Sequence, residues 1–180
     1  MYRRPKALVF CSDKIPSPSN STSGGGLRSF QLIQILHDLG FDVNFATPEN
    51  SAQKTESVLF THVGEYNLNN QSDFVDDTDL TLIYWCNPGT VDLSLTQNKN
   101  WTTLVDFHGP SNLESIHITG ENLEKSTNRV LRSLINCDKF TYVSHTQRSY
   151  WIGALTAIGI DPSQSYGPII NLASNYNRIN

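Results

Sequence analysis

The chain has 180 residues, of which 38% are hydrophobic and 17% charged, and carries a net charge of −4. That length can bury one sizeable core, and the absence of any basic run or arm argues against a nucleic-acid-binding face. No apolar run approaches the ~20 residues of a membrane span, and the one after the basic Met1–Lys6 is too short for a signal peptide.

Cys11, Cys86 and Cys137 are odd in number, lack C-x-x-C spacing and sit in or beside apolar segments. They read as free thiols of a reducing compartment, which points to a cytoplasmic protein.

In chain order, Leu8–Cys11 is continuously apolar, the pattern of a strand covered on both faces. Ser12–Ser23 is a polar loop with two prolines, long enough to be functional or mobile. Gly24-Gly25-Gly26 follows, and glycines there let the backbone take positive φ or let a partner approach closely. From Leu27 to Leu39 apolar residues recur at helical period, and Gly40 is placed to stop that helix. A glycine loop opening a helix brings free N–H groups and a partial positive charge to one place, a ready seat for a phosphate. The alternative is a flexible linker; the position between strand and helix favours the anion site. Asp42–Ala46 reads as the second strand and completes a βαβ unit.

Ser51–Val63 reads as a helix, Tyr66–Asn70 as a short strand and Phe74–Val75 as one helical turn. Leu80–Trp85 is strongly strand-forming, Val91–Gln97 a short helix and Thr102–Phe107 a strand ended by His108-Gly109-Pro110. A helix is expected over Glu121–Asn136 and a strand over Lys139–Val143. Ser144 caps a further helix that Gly159 ends. Asp161–Asn180 has no periodicity and reads as irregular, frayed chain. There is no internal repeat and no linker dividing two domains, so residues 1–180 form one domain.

Strands alternating with helices imply an α/β, Rossmann-like three-layer fold with a mostly parallel open sheet. Ligands in such sheets bind outside the carboxyl ends of the strands, which directs attention to the loops after the first, second, fourth, fifth and sixth strands. The glycine run is neither G-x-G-x-x-G nor a Walker A loop, and Glu49 is a weak candidate for a ribose contact. His108, just past a strand's carboxyl end, points an imidazole toward the crevice, where it can exchange a proton near neutral pH; its other reading is a histidine satisfying its own turn. His37, His62, His117 and His145 lack metal-ligand spacing, so no metal site is expected. There is no G-x-S-x-G and no carboxylate pair for glycoside hydrolysis.

Taken in order, the glycine loop with Leu27-Arg28, the helix ending Leu39-Gly40-Phe41-Asp42-Val43, Asp106-Phe107-His108-Gly109-Pro110, and Cys137–Ser144 with Gln147-Arg148 resemble the N-terminal half of a GT-B glycosyltransferase. The resemblance is to the retaining family-4 type of bacterial surface-polysaccharide assembly, and covers about residues 6 to 162. It implies that this half is the acceptor side of a two-domain enzyme. The partner would be a C-terminal nucleotide-sugar-binding domain, absent from these residues, with 162–180 as a hinge remnant.

It further implies Gly24, Gly25 and Gly26 at the cleft near the donor phosphates, Arg28 beside them, and His108 as the catalytic residue against the transferred sugar. The substrates implied are a nucleotide-sugar donor and a glycan or lipid-linked acceptor. No metal or other cofactor is expected, the full-length protein would contact the inner membrane face peripherally, and the chain alone would be inactive. A stand-alone module binding a phosphorylated ligand at the glycine loop is the alternative. A dinucleotide-dependent oxidoreductase fits less well, since its fingerprint is missing.

Overall fold

A computed structural model describes residues 3–17, 21–51, 60–75, 79–97, 100–110, 113–114, 117, 120, 122–161, 163 and 166–171. Its strands are β1 (Lys6–Phe10), β2 (Asp42–Pro48), β3 (Thr61–Tyr66), β4 (Leu80–Trp85), β5 (Thr102–Phe107) and β6 (Lys139–Tyr142). The helices are α1 (Gly24–Asp38), α2 (Leu93–Gln97), α3 (Leu123–Leu134) and α4 (His145–Ala157), with 3-10 turns at Gln71–Phe74 and Pro88–Thr90. The six strands form one sheet in the order β3-β2-β1-β4-β5-β6, every pairing parallel. Strand order reverses between β1 and β4, which opens a crevice at the carboxyl ends there.

Alternation along each strand sorts the core into two layers. Ala7, Val9, Cys11, Val43, Phe45, Leu82 and Tyr84 join Leu32, Ile33 and Leu36 of α1 on one face. Leu8, Phe10, Ile83, Trp85, Val105, Phe107, Phe140 and Tyr142 meet α2, α3 and α4 on the other, where Phe107 stacks on Trp151 with ring centroids 4.2 Å apart. Parallel strands covered on both faces are continuously apolar for this reason.

The helices begin at side-chain caps: Ser23 Oγ accepts from the Gly26 amide, Asn122 Oδ1 from Glu124 and Lys125, and Ser144 Oγ from Gln147. Gly40 and Gly159, at φ 92° and 89°, stand just past the ends of α1 and α4, where the left-handed conformation suits glycine. Among the described residues no helix is long and apolar enough to cross a membrane.

Three expectations need correction. First, α1 starts at Gly24 rather than Leu27, and none of Gly24, Gly25 and Gly26 has positive φ. They form the first helical turn because Ser23 caps it, so close approach and not left-handed geometry is what they supply. A Cβ on Gly26 would overlap the Lys14 carbonyl and Thr22 Oγ1, and one on Gly25 would lie 2.6 Å from Ser12 Oγ, whereas Gly24 faces open space.

Second, residues 61–63 are strand, not the end of a helix, and β3 stops at Tyr66, where a strand was expected to start. Residues 52–59 of the expected helix lie outside the described residues. Third, part of the expected frayed tail is docked. The 166–171 segment runs beside β6, bridging Tyr142 to Ile169, with Tyr142 N–H donating to Pro168 and Ile170 N–H donating to Tyr142. A Cβ on Gly167 would overlap the Phe140 carbonyl. Residues 172–180 lie outside the described residues.

Gly26→Ala and Gly167→Ala should therefore each cost about 1–3 kcal/mol or more, because backbone rather than a flexible side chain stands in the way. Gly24→Ala should be neutral or stabilising by up to about 1 kcal/mol. Urea unfolding of the three variants checks the contrast, and equal losses in all three would contradict it.

Candidate functional site

At the carboxyl end of β5, Asp106 sits on the α1 face of the sheet with no solvent exposure. A carboxylate cannot remain charged there without a partner, and α1 supplies one from its second turn. Arg28 Nε donates to Asp106 Oδ2 at 2.9 Å and Nη2 to Oδ1 at 2.8 Å, a bidentate pair with both side chains at most 1% exposed. The remaining guanidinium nitrogen, Nη1, donates to Gln31 Oε1 and to the Ile170 carbonyl.

On β6, Thr141 Oγ1 donates to Asp106 Oδ1 at 2.5 Å. The Tyr84 hydroxyl on β4, 2.5 Å from Thr141 Oγ1, must then be the donor to it. Two elements, α1 and β6, thus bond this carboxylate directly, while β4 and the docked tail stand behind them through Thr141 and Arg28.

Burial alone would lower the Arg28 pKa, but hydrogen bonds to Asp106 and its charge lift it above the ordinary arginine value. Burial, followed by the charge of Asp106, raises the Tyr84 hydroxyl well above its usual range. The Cys86 thiol, fully buried at the end of β4, is pushed up to about 12 by burial and then by Asp106. Cys11 rises too, through burial first and Cys86 second. These thiols are protonated and poor nucleophiles at neutral pH.

A second polar chain ties the β1 loop to α1. Ser12 N–H donates to Ser29 Oγ at 3.0 Å, and Ser29 Oγ donates to the Gly25 carbonyl at 2.9 Å. The glycine turn is thereby held beside the end of β1, with Gly24 exposed and unobstructed above it.

His108 follows β5 directly. Its side chain is 23% exposed and its Nδ1 lies 3.9 Å from Asp106 Oδ2, too far for a hydrogen bond. Nδ1 is buried and has no hydrogen-bond partner among the described residues. The His108 carbonyl accepts from Gln147 Nε2 at 3.0 Å.

Of the residues singled out from sequence, His108 and Gly24–Gly26 lie on the carboxyl edge of the sheet, while Arg28 is internal with its donors engaged by Asp106, Gln31 and Ile170. Other histidines have partners of their own: His37 Nδ1 lies 3.6 Å from Asp38, His62 Nε2 meets Thr47 Oγ1, and His145 Nδ1 meets Arg148. Among the described residues no three His, Cys, Asp or Glu side chains gather as a metal site.

Asp106 and Gln147 stood in the resembling motifs without any role assigned to them, and Thr141 and Tyr84 were read only as strand residues. Asp106 had a signal, a carboxylate inside the apolar run Leu104-Val105-Asp106-Phe107, which demands a cation. Thr141 and Tyr84 had none, being ordinary strand-formers.

Asp106→Asn or Arg28→Met should each destabilise the fold by about 3–5 kcal/mol, since either leaves a charge buried alone; urea midpoints of the two variants report it. Alkaline pH should also destabilise. The raised Cys86 pKa means that the folded state holds its proton more tightly than the unfolded chain, so that contribution is complete below the ordinary thiol value of 9.0 and disappears as pH climbs toward about 12. Urea unfolding at pH 8, 9.5 and 10.5 should show falling midpoints, with a shallower fall in Cys86→Ala.

No family model matches the chain, and no curated protein sequence matches it. Among solved structures it is similar to Phytolacca americana UGT2 complexed with UDP-2fluoro-glucose and pterostilbene, a UDP-glycosyltransferase of GT-B fold. The TM-score is 0.52 at 11% sequence identity, over 96% of this chain and 56% of that one. The chain thus spans little more than half the length of that structure. At such identity the likeness is one of fold: this is a Rossmann-like, all-parallel α/β sheet of the kind found in a GT-B glycosyltransferase.

Proposed function

We propose that the chain is the acceptor-side half of a glycosyltransferase, moving a sugar from a nucleotide-sugar donor to a glycan or lipid-linked acceptor. The observation that carries this reading is the placement of His108. It sits at the carboxyl end of β5, on the same edge of a 3-2-1-4-5-6 parallel sheet as the glycine turn of α1, in a fold that matches just over half of a UDP-glycosyltransferase.

In this reading a second Rossmann-like domain holds most of the nucleotide sugar. The N-terminus of α1, where Gly24 leaves room, lies near the donor phosphates and stabilises their charge. His108 contacts the transferred sugar, and its partnerless Nδ1 can take or give one hydrogen bond. Arg28 belongs to the site as the holder of Asp106, since its own donors are engaged. The sequence resemblance adds the finer statement: a retaining, metal-independent enzyme of the family-4 type, acting in surface-polysaccharide assembly at the cytoplasmic face of the membrane.

The test needs the 180-residue chain and the complete gene product. Calorimetry of the chain alone with UDP-glucose and GDP-mannose should detect no binding tighter than about 1 mM, a weak affinity worth only about 4 kcal/mol. Tight binding by the chain alone would instead favour a self-sufficient module for phosphorylated ligands. In the full-length protein, assayed against a panel of nucleotide sugars and lipid-linked acceptors, His108→Ala should lower kcat by about 100-fold or more, the range of a lost transition-state contact, with Tm unchanged. Retained turnover would remove His108 from the mechanism.

A further inference from the structure

We propose that Gln147 is the positioning residue for His108, aiming the imidazole by gripping its backbone while leaving its ring free. The significance for catalysis rests on the reading of His108 given above, but the positioning does not depend on the substrate.

The turn carrying His108 leaves the sheet as β5 ends, and its carbonyl accepts from Gln147 Nε2 at 3.0 Å. Gln147 is itself anchored as the third residue of α4, where its own N–H donates to Ser144 Oγ at 3.2 Å. The grip is therefore a short tether to a capped helix, and α4 is fixed in turn by Trp151 stacked on Phe107 one residue before His108. On its far side the turn is closed by the Leu113 and Glu114 N–H groups, which both donate to the Pro110 carbonyl.

What the tether omits is as informative as what it holds. Gln147 Oε1 and His108 Nδ1 are both buried, and neither has a hydrogen-bond partner among the described residues, so they do not satisfy one another. Asp106 does not take Nδ1 either, because its Oδ2 is 3.9 Å away and already accepts from Arg28 Nε. Structural histidines and histidines held in a fixed tautomer normally use one ring nitrogen on a carboxylate or carbonyl. Here the main chain is oriented and the ring is uncommitted, as suits a group whose partner arrives with the ligand.

The experiment uses the 180-residue chain with 15N-labelled histidine. Long-range 15N–1H spectra report the tautomer of each ring, and His108→Gln assigns the His108 signals. Gln147→Leu keeps side-chain bulk and removes the amide. It should change the His108 tautomer ratio and displace both of its ring 15N signals. Signals of the other four histidines should stay in place and Tm should change little.

Unaltered His108 signals in a folded Gln147→Leu protein overturn the proposal. Should that variant fail to fold, Gln147→Met keeps the length, adds no charge and loses the donor. A change at His108 then supports the tether, and an unaltered spectrum overturns it. If His108 responds as expected while full-length His108→Ala keeps its turnover, the tether stands and the transfer role of His108 falls.

Discussion

The buried Arg28–Asp106 pair is the constraint around which this edge of the domain is arranged. Asp106 lies in a sheet covered on both faces, where an unpaired carboxylate is prohibitively costly. The guanidinium that meets it comes from α1, which follows β1, two strands away in the sheet. For Arg28 to reach β5, the start of α1 must lie close against the β1 loop. Gly26 permits that by packing on the Lys14 carbonyl, and the Ser12–Ser29 hydrogen bond maintains it. A buried ion pair often contributes little net stability relative to apolar packing. Its effect here is geometric, fixing the helix start, the end of β5 and the end of β6 relative to one another.

That geometry bears directly on the candidate site. Because Asp106 is neutralised by Arg28 and occupied by Thr141, it does not pair with His108 as an orienting carboxylate would. The imidazole is governed from α4 instead. The electrostatics at the crevice are then set by the N-terminus of α1 and whatever binds there, while the strongest charges of the region stay internal. Cys11, Cys86 and Tyr84, all with raised pKa values, are likewise kept neutral within the same layer.

Much of the fold was legible because β1 and β4 are nearly continuous apolar runs and β5 and β6 are rich in β-branched and aromatic residues. Thr102–Phe107 and Leu80–Trp85 were readable to the residue, and Gly40 and Gly159 marked helix ends through the left-handed backbone they adopt. β3 was not legible. Thr61-His62-Val63-Gly64-Glu65-Tyr66 is an edge strand with weak alternation, and its register against β2 shifts beside Gly64, a glycine at φ 146° packed under Phe74.

The glycine run was placed correctly but given the wrong local geometry, since nothing in three glycines distinguishes a loop from a capped first turn. For Arg28, helical period could not reveal that a cation pointed inward; only the carboxylate in Leu104–Phe107, read together with it, could have done so. Gln147 stood in one of the resembling motifs, but its hold on the His108 turn was not legible, because a glutamine near a helix start ordinarily faces water.

The docked 166–171 segment holds on through its main chain and through three side chains: Ile169 and Ile170 pack against the two core layers, and the Tyr166 ring lies under the Arg148 guanidinium. Pro168 and Ile170 pair with Tyr142, while the Ile170 and Asn171 carbonyls accept from Arg28 and Gln31. The backbone contacts read shape alone, so side-chain identity matters at Gly167, which the Phe140 carbonyl excludes from change, and at the residues that pack, Tyr166, Ile169 and Ile170. The segment also sets a path for mechanical load. Tension on the chain beyond Asn171 would arrive first at Gln31 and Arg28, and through Arg28 at Asp106, two residues before His108.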